Sequence, residues 1–182
     1  MAHEIIVGLT GGVAAYKVAT LVSELVQHNV GVTVVMTRAA QEFIGPTTFQ
    51  ALTGRKVLTH VFDRKAHPLG AHIEVAHKAE LLCIAPATAN LLAQAAHGLA
   101  EDLLSTLLLS FQGPILMAPA MNSEMWEKPA VKRNVAQLRS DGVHFVGPNS
   151  GWLSCRQQGE GRMAEPSEIR AAIHNLLSIG PV

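Results

Sequence analysis

One of the two cysteines in this 182-residue chain, Cys155, lies in a segment that suits a reactive thiol. The segment, GWLSCRQQGEGRM, covers residues 151–163, contains three glycines and has no helical or strand periodicity. Arg156 and Arg162 lie nearby, and cations close to a cysteine favour its thiolate form. This segment therefore predicts a thiol with a chemical role on a glycine-hinged loop. A chance cysteine in a surface loop would have the same sequence features.

The other cysteine and the histidines have simpler interpretations. Cys83 lies inside the apolar run LLCIA and is predicted to be a small core residue. His60, His67, His72 and His77 are close in sequence, but their spacing matches no common metal signature, so no metal is predicted. His72 is the first residue of the short segment HIEV before the third predicted strand, and this sequence context alone favours a structural role for it.

Two segments near the N-terminus have the residue types of a phosphate site. Residues 8–17, GLTGGVAAYK, are typical of a strand end, a glycine turn and a helix start, where backbone N–H groups favour an anion. The motif is not GxGxxG and no acidic residue ends the second strand, so a dinucleotide is not favoured. Thr37 and Arg38 end that strand instead, and they suit a phosphate monoester. An ordinary tight turn explains the first motif equally well.

Two later segments, APATAN at 85–90 and APAMN at 118–122, combine small residues with polar ones. Small side chains leave room for a flat ligand, while Thr88, Asn90 and Asn122 supply hydrogen-bonding groups. Thr88 alone would be an unremarkable helix N-cap. Two such segments after neighbouring strands predict a binding site.

These motifs all follow predicted strands. Apolar runs predict five strands, at 5–7, 32–36, 81–85, 115–118 and 143–146. Helical patterns are present at 10–28, from 38 onward, and at 88–97, 102–111, 130–140 and 166–177. Short apolar strands that alternate with helices predict one α/β domain with a buried parallel sheet. Ligands bind such sheets at the carboxyl ends of the strands, which is where the motifs fall.

The composition excludes several classes of protein. Apolar residues make up 48% and charged residues 15%, which is globular rather than disordered, and the formal net charge is zero, which gives nucleic acid no basic surface. No apolar run approaches the roughly 20 residues that span a bilayer, and the N-terminus has no signal-peptide pattern. We therefore expect a cytoplasmic protein with reduced thiols and neither nucleic acid nor membrane as a partner.

Together the motifs resemble the homo-oligomeric flavin-containing cysteine decarboxylase family over nearly the whole chain. The matching stretches are TGGVAAYK, VVMTRAAQEF, AHIEV, APATAN, GLAEDLLST, APAMNSEMW and GWLSCRQQGEGRM. No single stretch is specific, but the set is. The resemblance implies one Rossmann-like (flavodoxin-like) domain over 1–182 and a substrate-clamping flap at about 149–164. It also implies a homotrimer or a dodecamer built from trimers, with FMN at the subunit contacts.

The resemblance also implies roles for single residues. The implied FMN contacts are Gly11, Gly12, Val13, Thr37, Arg38, Ala39, Ala87, Thr88, Ala89, Asn90 and Ala120. His72 matches the catalytic histidine of the family. This match replaces the structural role that the sequence context of His72 alone favours. Asn122 matches the asparagine that holds the substrate carboxylate, with Met121 beside the substrate. Cys155 matches the cysteine of the flap.

The implied activity is FMN-dependent loss of CO2 from 4′-phosphopantothenoyl-cysteine in coenzyme A synthesis. Direct loss of CO2 would leave an unstabilised carbanion, so the thiol is first oxidised to a thioaldehyde. Loss of CO2 then gives an ene-thiolate, whose reduction yields 4′-phosphopantetheine with Cys155 as the proposed proton donor. Lys78 replaces a frequent tryptophan and Arg156 a frequent glycine, so the chain departs from the family at these two positions.

Three alternative functions remain open at this point. Peptidyl-cysteine decarboxylases share the histidine and the asparagine but stop at the ene-thiol, so the presence of Cys155 favours the small-molecule substrate. Non-catalytic flavoprotein regulators carry long acidic tails, which this sequence lacks. Flavin prenyltransferases lack the pairing of HIEV with PAMN.

Overall fold

A parallel sheet of five strands forms the centre of the computed structural model, which describes residues 3–61 and 70–178. The strand order is β2-β1-β3-β4-β5, and every pairing is parallel. The strands are β1 (Glu4–Leu9), β2 (Gly31–Met36), β3 (Leu81–Ala87), β4 (Ile115–Pro119) and β5 (His144–Phe145). All five predicted strands are confirmed, and so is the α/β class with a Rossmann-like arrangement.

Helices cover both faces of the sheet. They are α1 (Ala15–Gln27), α2 (Pro46–Thr53), α3 (Ala71–Lys78), α4 (Ala89–Ala96), α5 (Leu103–Ser110), α6 (Ser123–Trp126), α7 (Pro129–Ser140) and α8 (Pro166–Leu176). Five predicted helices are confirmed as α1, α4, α5, α7 and α8. The helix predicted from residue 38 is instead a short 3-10 turn, Ala39–Glu42, followed by α2, which begins at Pro46. Neither α3 nor α6 was predicted; α6 is a single turn of four residues.

Alternate residues of the central strands pack in opposite directions. Ile5 and Val7 of β1 pack with apolar residues of α1 and α8. Ile6, between them, packs with those of α4, α5 and α7 on the other face. Cys83 of β3 is fully buried, as predicted, and burial raises the pKa of its thiol to about 12. The thiol at this position is a core group that stays protonated at neutral pH.

Residues 149–162 form an antiparallel hairpin, which corrects the expectation that segment 151–163 has no strand structure. Its strands are β6 (Asn149–Trp152) and β7 (Gln158–Arg162). Most residues of this ribbon are exposed or half-buried. Because the ribbon does not bury one face in the core, its sequence needs no apolar alternation, and periodicity alone does not reveal it.

Over the described ranges 3–61 and 70–178, no helix is both long enough and apolar enough to cross a bilayer. Within the same ranges, no cluster of three or more histidine, cysteine, aspartate or glutamate residues is arranged to hold a metal ion. His67, one of the histidines weighed above as a metal ligand, lies outside the described residues.

Candidate active site

A cavity of about 1020 Å³ lies at the carboxyl ends of β1 to β4, where the sequence predicted a ligand. Its walls are the turns after these four strands, together with the hairpin and the start of α8. Among the residues that line it are the predicted site residues Gly11, Gly12, Val13, Thr37, Arg38, Ala39, Thr88, Ala89, Asn90, Ala120, Met121 and Asn122. The fold therefore brings most of the predicted site together from distant parts of the chain.

Three predicted site residues do not line this cavity within one chain. Ala87 is the last residue of β3 and is fully buried, so it lies behind the wall. His72 belongs to α3, and Cys155 lies at the exposed turn of the hairpin. The cavity of a single chain thus contains all but one of the predicted binding residues and lacks two of the three predicted catalytic residues.

The turns after β1 and β2 are packed directly against each other. A Cβ atom added to Gly11 would lie 2.5 Å from the Cβ of Ala39 and 3.0 Å from its carbonyl carbon. At Gly12 the nearest described side chains to the same atom, apart from its chain neighbours, are Pro86 and Thr88, at 3.7 and 3.8 Å. Gly11 is therefore required by the close approach of Ala39, whereas Gly12 has room for a methyl group.

Thr10 joins the turn after β1 to the turn after β3. Its buried hydroxyl donates a hydrogen bond to the carbonyl of Pro86 at 2.5 Å and accepts one from the backbone N–H of Thr88 at 3.1 Å. Sequence reasoning missed Thr10 as a site residue. The signal was a hydroxyl residue immediately before two glycines at the end of a buried strand.

The turn after β2 presents an unpaired cation. The backbone N–H of Thr37 donates to Leu9 at 3.0 Å, and its hydroxyl accepts from the N–H of Ala40 at 3.2 Å, so the turn is fixed. Arg38 is exposed at the cavity, and its guanidinium group has no hydrogen bond or ion pair with any residue in the described ranges. Its guanidinium group is thus available to an anionic ligand.

Asn122 is held as the N-cap of α6. Its Oδ1 atom accepts a hydrogen bond from the backbone N–H of Met125 at 2.8 Å. This bond orients the amide, and its NH2 group has no hydrogen-bond acceptor among the described residues at the cavity wall. A neutral donor at this position can hold a carboxylate without adding a positive charge.

A charged group lies where α1, α8 and the hairpin meet. The Nζ of Lys17 donates to Oε1 of Glu165 at 2.9 Å, and the guanidinium of Arg162 donates to the same oxygen. The hydrogen bond from Lys17 lowers the pKa of the Glu165 carboxyl, and Arg162 adds to this effect. All three residues line the cavity, and sequence reasoning did not identify Lys17 or Glu165 as part of it.

The cavity also has exposed apolar walls. Trp152 is 67% exposed and Tyr16 is 61% exposed, and both line the cavity with Val13 and Met125. Large apolar side chains open to solvent around a cavity are typical of a surface that a ligand or a partner covers. Sequence reasoning missed Tyr16 and Trp152, although each is an aromatic residue inside a motif that it did identify.

His72 and Cys155 have distinct surroundings. The His72 ring lies close to Gly70, where an added Cβ would be 3.1 Å from its Cε1. The Nδ1 atom of His72 is buried without a hydrogen-bond partner among the residues described. Cys155 lies in a tight turn closed by a hydrogen bond from the N–H of Arg156 to the carbonyl of Leu153 at 2.9 Å. Its thiol is accessible from solvent.

The sequence was compared with models of known protein families. The profile described as Flavoprotein matches residues 1–178. The chain belongs to the Flavoprotein family. The family's profile covers every element of the fold and every candidate site residue named above.

Individual known proteins resemble this chain over most of its length. The coenzyme A biosynthesis bifunctional protein CoaBC of Bacillus subtilis is 43% identical over 167 residues, which cover 92% of this chain and 41% of that protein. The chain thus spans less than half the length of this curated relative. A solved PPC decarboxylase mutant complexed with pantothenoylaminoethenethiol has a TM-score of 0.86 at 27% identity and covers 98% of this chain and 100% of that one. The FMN-dependent cysteine decarboxylase SpaF has a TM-score of 0.84 at 35% identity, over 97% of this chain and 95% of that one.

Proposed function

We propose that this flavoprotein is a carboxy-lyase that uses FMN to convert 4′-phosphopantothenoyl-cysteine to 4′-phosphopantetheine in coenzyme A synthesis. The observation that carries the proposal is the position of the Asn122 amide, which shares one cavity with the free guanidinium of Arg38 and the glycine turn after β1. The relatives support the same activity, because one acts in coenzyme A biosynthesis and another is a PPC decarboxylase.

The residues of the cavity fit FMN. The phosphate would meet Arg38, Thr37 and the turn at Gly11 and Gly12, while a flat ring would lie against small and apolar walls. A volume of about 1020 Å³ is at the upper end of the roughly 300–1,000 Å³ usual for ligand pockets. When bound there, FMN would supply the two-electron oxidation and reduction chemistry that the substrate thiol requires.

The chain's own residues bind the substrate and handle its protons. The NH2 group of Asn122 holds the carboxylate, and because it carries no charge it does not stabilise the ionised acid against loss of CO2. His72 acts as the base near the thiol-bearing carbon, where an imidazole is a suitable proton acceptor at neutral pH. Cys155, on the exposed turn of the hairpin, donates the proton that the carbon takes up at the end.

We further propose that each active site combines residues of two subunits in a homotrimer or in a dodecamer of trimers. Support comes from His72, which does not line the cavity of its own chain, and from the exposed apolar side chains at that cavity. Two inactive variants, His72→Asn and Asn122→Asp, should therefore regain CO2 release when they are co-expressed. Mixed oligomers that stay as inactive as each variant alone would contradict a shared site.

The reaction is proposed to take place in the cytoplasm, and the two free thiols, Cys83 and Cys155, are consistent with a reducing compartment. No observation favours a second function enough to propose it.

The substrate is tested by incubating FMN-loaded protein with 4′-phosphopantothenoyl-cysteine and, in parallel, with a peptide that ends in cysteine. We expect 4′-phosphopantetheine from the first and an unchanged peptide from the second, as read by mass spectrometry. Decarboxylation of the peptide alone would assign the chain to the peptidyl-cysteine decarboxylases.

A further inference from the structure

The hairpin strand β7 lies directly on the loop that carries Asn122. The backbone N–H of Met121 donates a hydrogen bond to the carbonyl of Gly161 at 2.9 Å. Asn122 follows Met121 and begins α6, so this bond fixes the backbone one residue before the amide. The Asn122 loop is thereby tied to the hairpin as well as to the sheet.

Two glycines of β7 make this close approach possible. A Cβ atom added to Gly161 would overlap the carbonyl oxygen of Met121 and lie 3.3 Å from the carbonyl carbon of Asn122. A Cβ atom added to Gly159 would overlap the hydroxyl of Ser123 and lie 3.1 Å from its Cβ. The three residues of the loop, 121–123, are therefore in contact with the backbone of β7 itself.

The two glycines differ in a way that an experiment can use. Gly161 has a φ of 137°, which side chains of L-residues rarely adopt, so any substitution there combines crowding with backbone strain. Gly159 has no such φ, and among the described residues other than its two chain neighbours, only the Ser123 side chain has atoms within 4 Å of its added Cβ. Crowding at Gly159 can thus be relieved by shortening Ser123.

The base of the hairpin is anchored on its other side. The side-chain amide of Asn149 donates to Glu168 at 2.7 Å, and Arg162 is paired with Glu165. Both carboxylates belong to the start of α8. With anchors on both sides, the base of β7 is a support, and close packing against loop 121–123 accounts for its two glycines.

We infer that Gly159 and Gly161 are positioning residues, which seat β7 on loop 121–123 and so hold the Asn122 amide in place for the substrate carboxylate. The inference rests on the proposed function for the role of Asn122. The amide is fixed from two directions: Met125 holds its Oδ1, and Gly161 holds the peptide before it. A side chain added to β7 at these glycines would displace loop 121–123 and so shift the Asn122 NH2 group relative to the substrate carboxylate. The turns after β1 and β2 would stay in place.

The test is a compensation experiment. Gly159→Ala should lower kcat for CO2 release by about 100-fold, the scale of a displacement near 1 Å in an active site, while bound FMN is retained. Ser123→Gly removes both crowding atoms, so the double variant Gly159→Ala/Ser123→Gly should recover most of the activity. Ser123→Gly alone should stay close to wild type, because this side chain has no hydrogen bond in the described ranges and does not line the cavity.

Two further variants control for the substitution itself. Gly45→Ala adds a methyl group at a position where no described residue beyond its chain neighbours lies within 4 Å. Gly142→Ala does the same at a φ of 89°, so it adds backbone strain like that of Gly161→Ala without the crowding. Both should keep wild-type kcat. Gly161→Ala should lose at least as much activity as Gly159→Ala.

Each outcome decides the inference. Full activity of Gly159→Ala, failure of Ser123→Gly to restore it, or parallel loss of FMN and activity would each overturn the positioning role. A crystal structure of Gly159→Ala should show a displaced Asn122 amide whether or not the substrate is correct, and an unmoved amide would also overturn the inference. Absence of CO2 from the wild-type protein would instead overturn the proposed function, so the two failures are distinguishable.

Discussion

The cavity has two walls that are built in different ways. The wall formed by the turns after β1 to β4 extends from buried strands, and Thr10 and Gly11 lock these turns to each other. The hairpin wall is an exposed ribbon, held by its own pairing, by glycine contacts and by ion pairs at its base. The first wall is thus preorganised by the core, which suits a cofactor, whereas the second is suited to a substrate that must enter and leave.

The thiols of the two cysteines show the same contrast between the buried core and the exposed hairpin. Cys83 lies in the central strand behind the first wall, and burial raises its pKa to about 12. Cys155 lies on the turn of the hairpin, where it is exposed. Position in the fold, and not the residue type, separates an inert thiol from a usable one.

The largest effect is expected from Gly11→Val, which should abolish FMN binding. Its Cβ alone would lie 2.5 Å from Ala39, so the two turns of the first wall must separate. Titration with FMN followed by flavin fluorescence measures the effect, with Gly45→Ala as the matched control. Wild-type affinity in Gly11→Val would show that the contact between the turns does not shape the cofactor site.

The next largest difference is expected between substitutions of the two cysteines. Cys155→Ser should still release CO2 but accumulate the ene-thiol, because the final proton donor is missing. Cys83→Ala should complete the reaction, since its thiol is buried and protonated. Mass spectrometry of the products distinguishes the two, and complete conversion to 4′-phosphopantetheine by Cys155→Ser would remove Cys155 from the mechanism.

A smaller difference is expected between two arginines. Arg38→Met should weaken FMN binding by about 10- to 100-fold, which corresponds to the roughly 1.5–3 kcal/mol of a hydrogen bond to a charged group. Arg162→Met, on the hairpin wall, should leave FMN affinity near wild type and raise KM for the substrate. Equal losses of FMN affinity in the two variants would contradict the division between a cofactor wall and a substrate wall.

The smallest effect concerns pH and the base of the hairpin. The Lys17 hydrogen bond lowers the pKa of the Glu165 carboxyl below its value in the unfolded chain. Its contribution to the free energy of unfolding is therefore present above the ordinary glutamate pKa and is lost as the pH falls through the folded value. Because Glu165 is partly exposed, the contribution is at most about 1 kcal/mol.

Glu165→Gln should accordingly show a weaker fall in stability between pH 6 and pH 3 than wild type, as measured by urea unfolding. Glu4, paired with Arg55, also has a lowered pKa, and it supplies an internal reference that the variant leaves unchanged. If the free energy of unfolding depends on pH identically in wild type and Glu165→Gln, the Glu165 contacts do not contribute to stability.

The same contrast explains what could be predicted from the sequence. The strands and the turns of the first wall follow from apolar runs ended by glycine, proline and small residues, so the fold and the position of the cavity at the strand ends were predictable. The hairpin was not, because an exposed ribbon has no periodic apolar pattern. Lys17 and Glu165 are 148 residues apart, and nothing local in either segment indicates that their side chains meet. The pairing of the Asn122 loop with Gly159 and Gly161 was hidden for the same reason.

The central claim is that the cavity between these walls removes the carboxyl group of a cysteine-derived substrate. The most direct measurement is release of labelled CO2 from 4′-phosphopantothenoyl-cysteine that carries the label in its carboxyl group, with FMN-loaded wild type and Asn122→Asp compared side by side. We predict that the label leaves as CO2 with wild type and stays in the substrate with the variant. Label that remains in the substrate with wild type, or leaves equally fast with Asn122→Asp, would contradict the account.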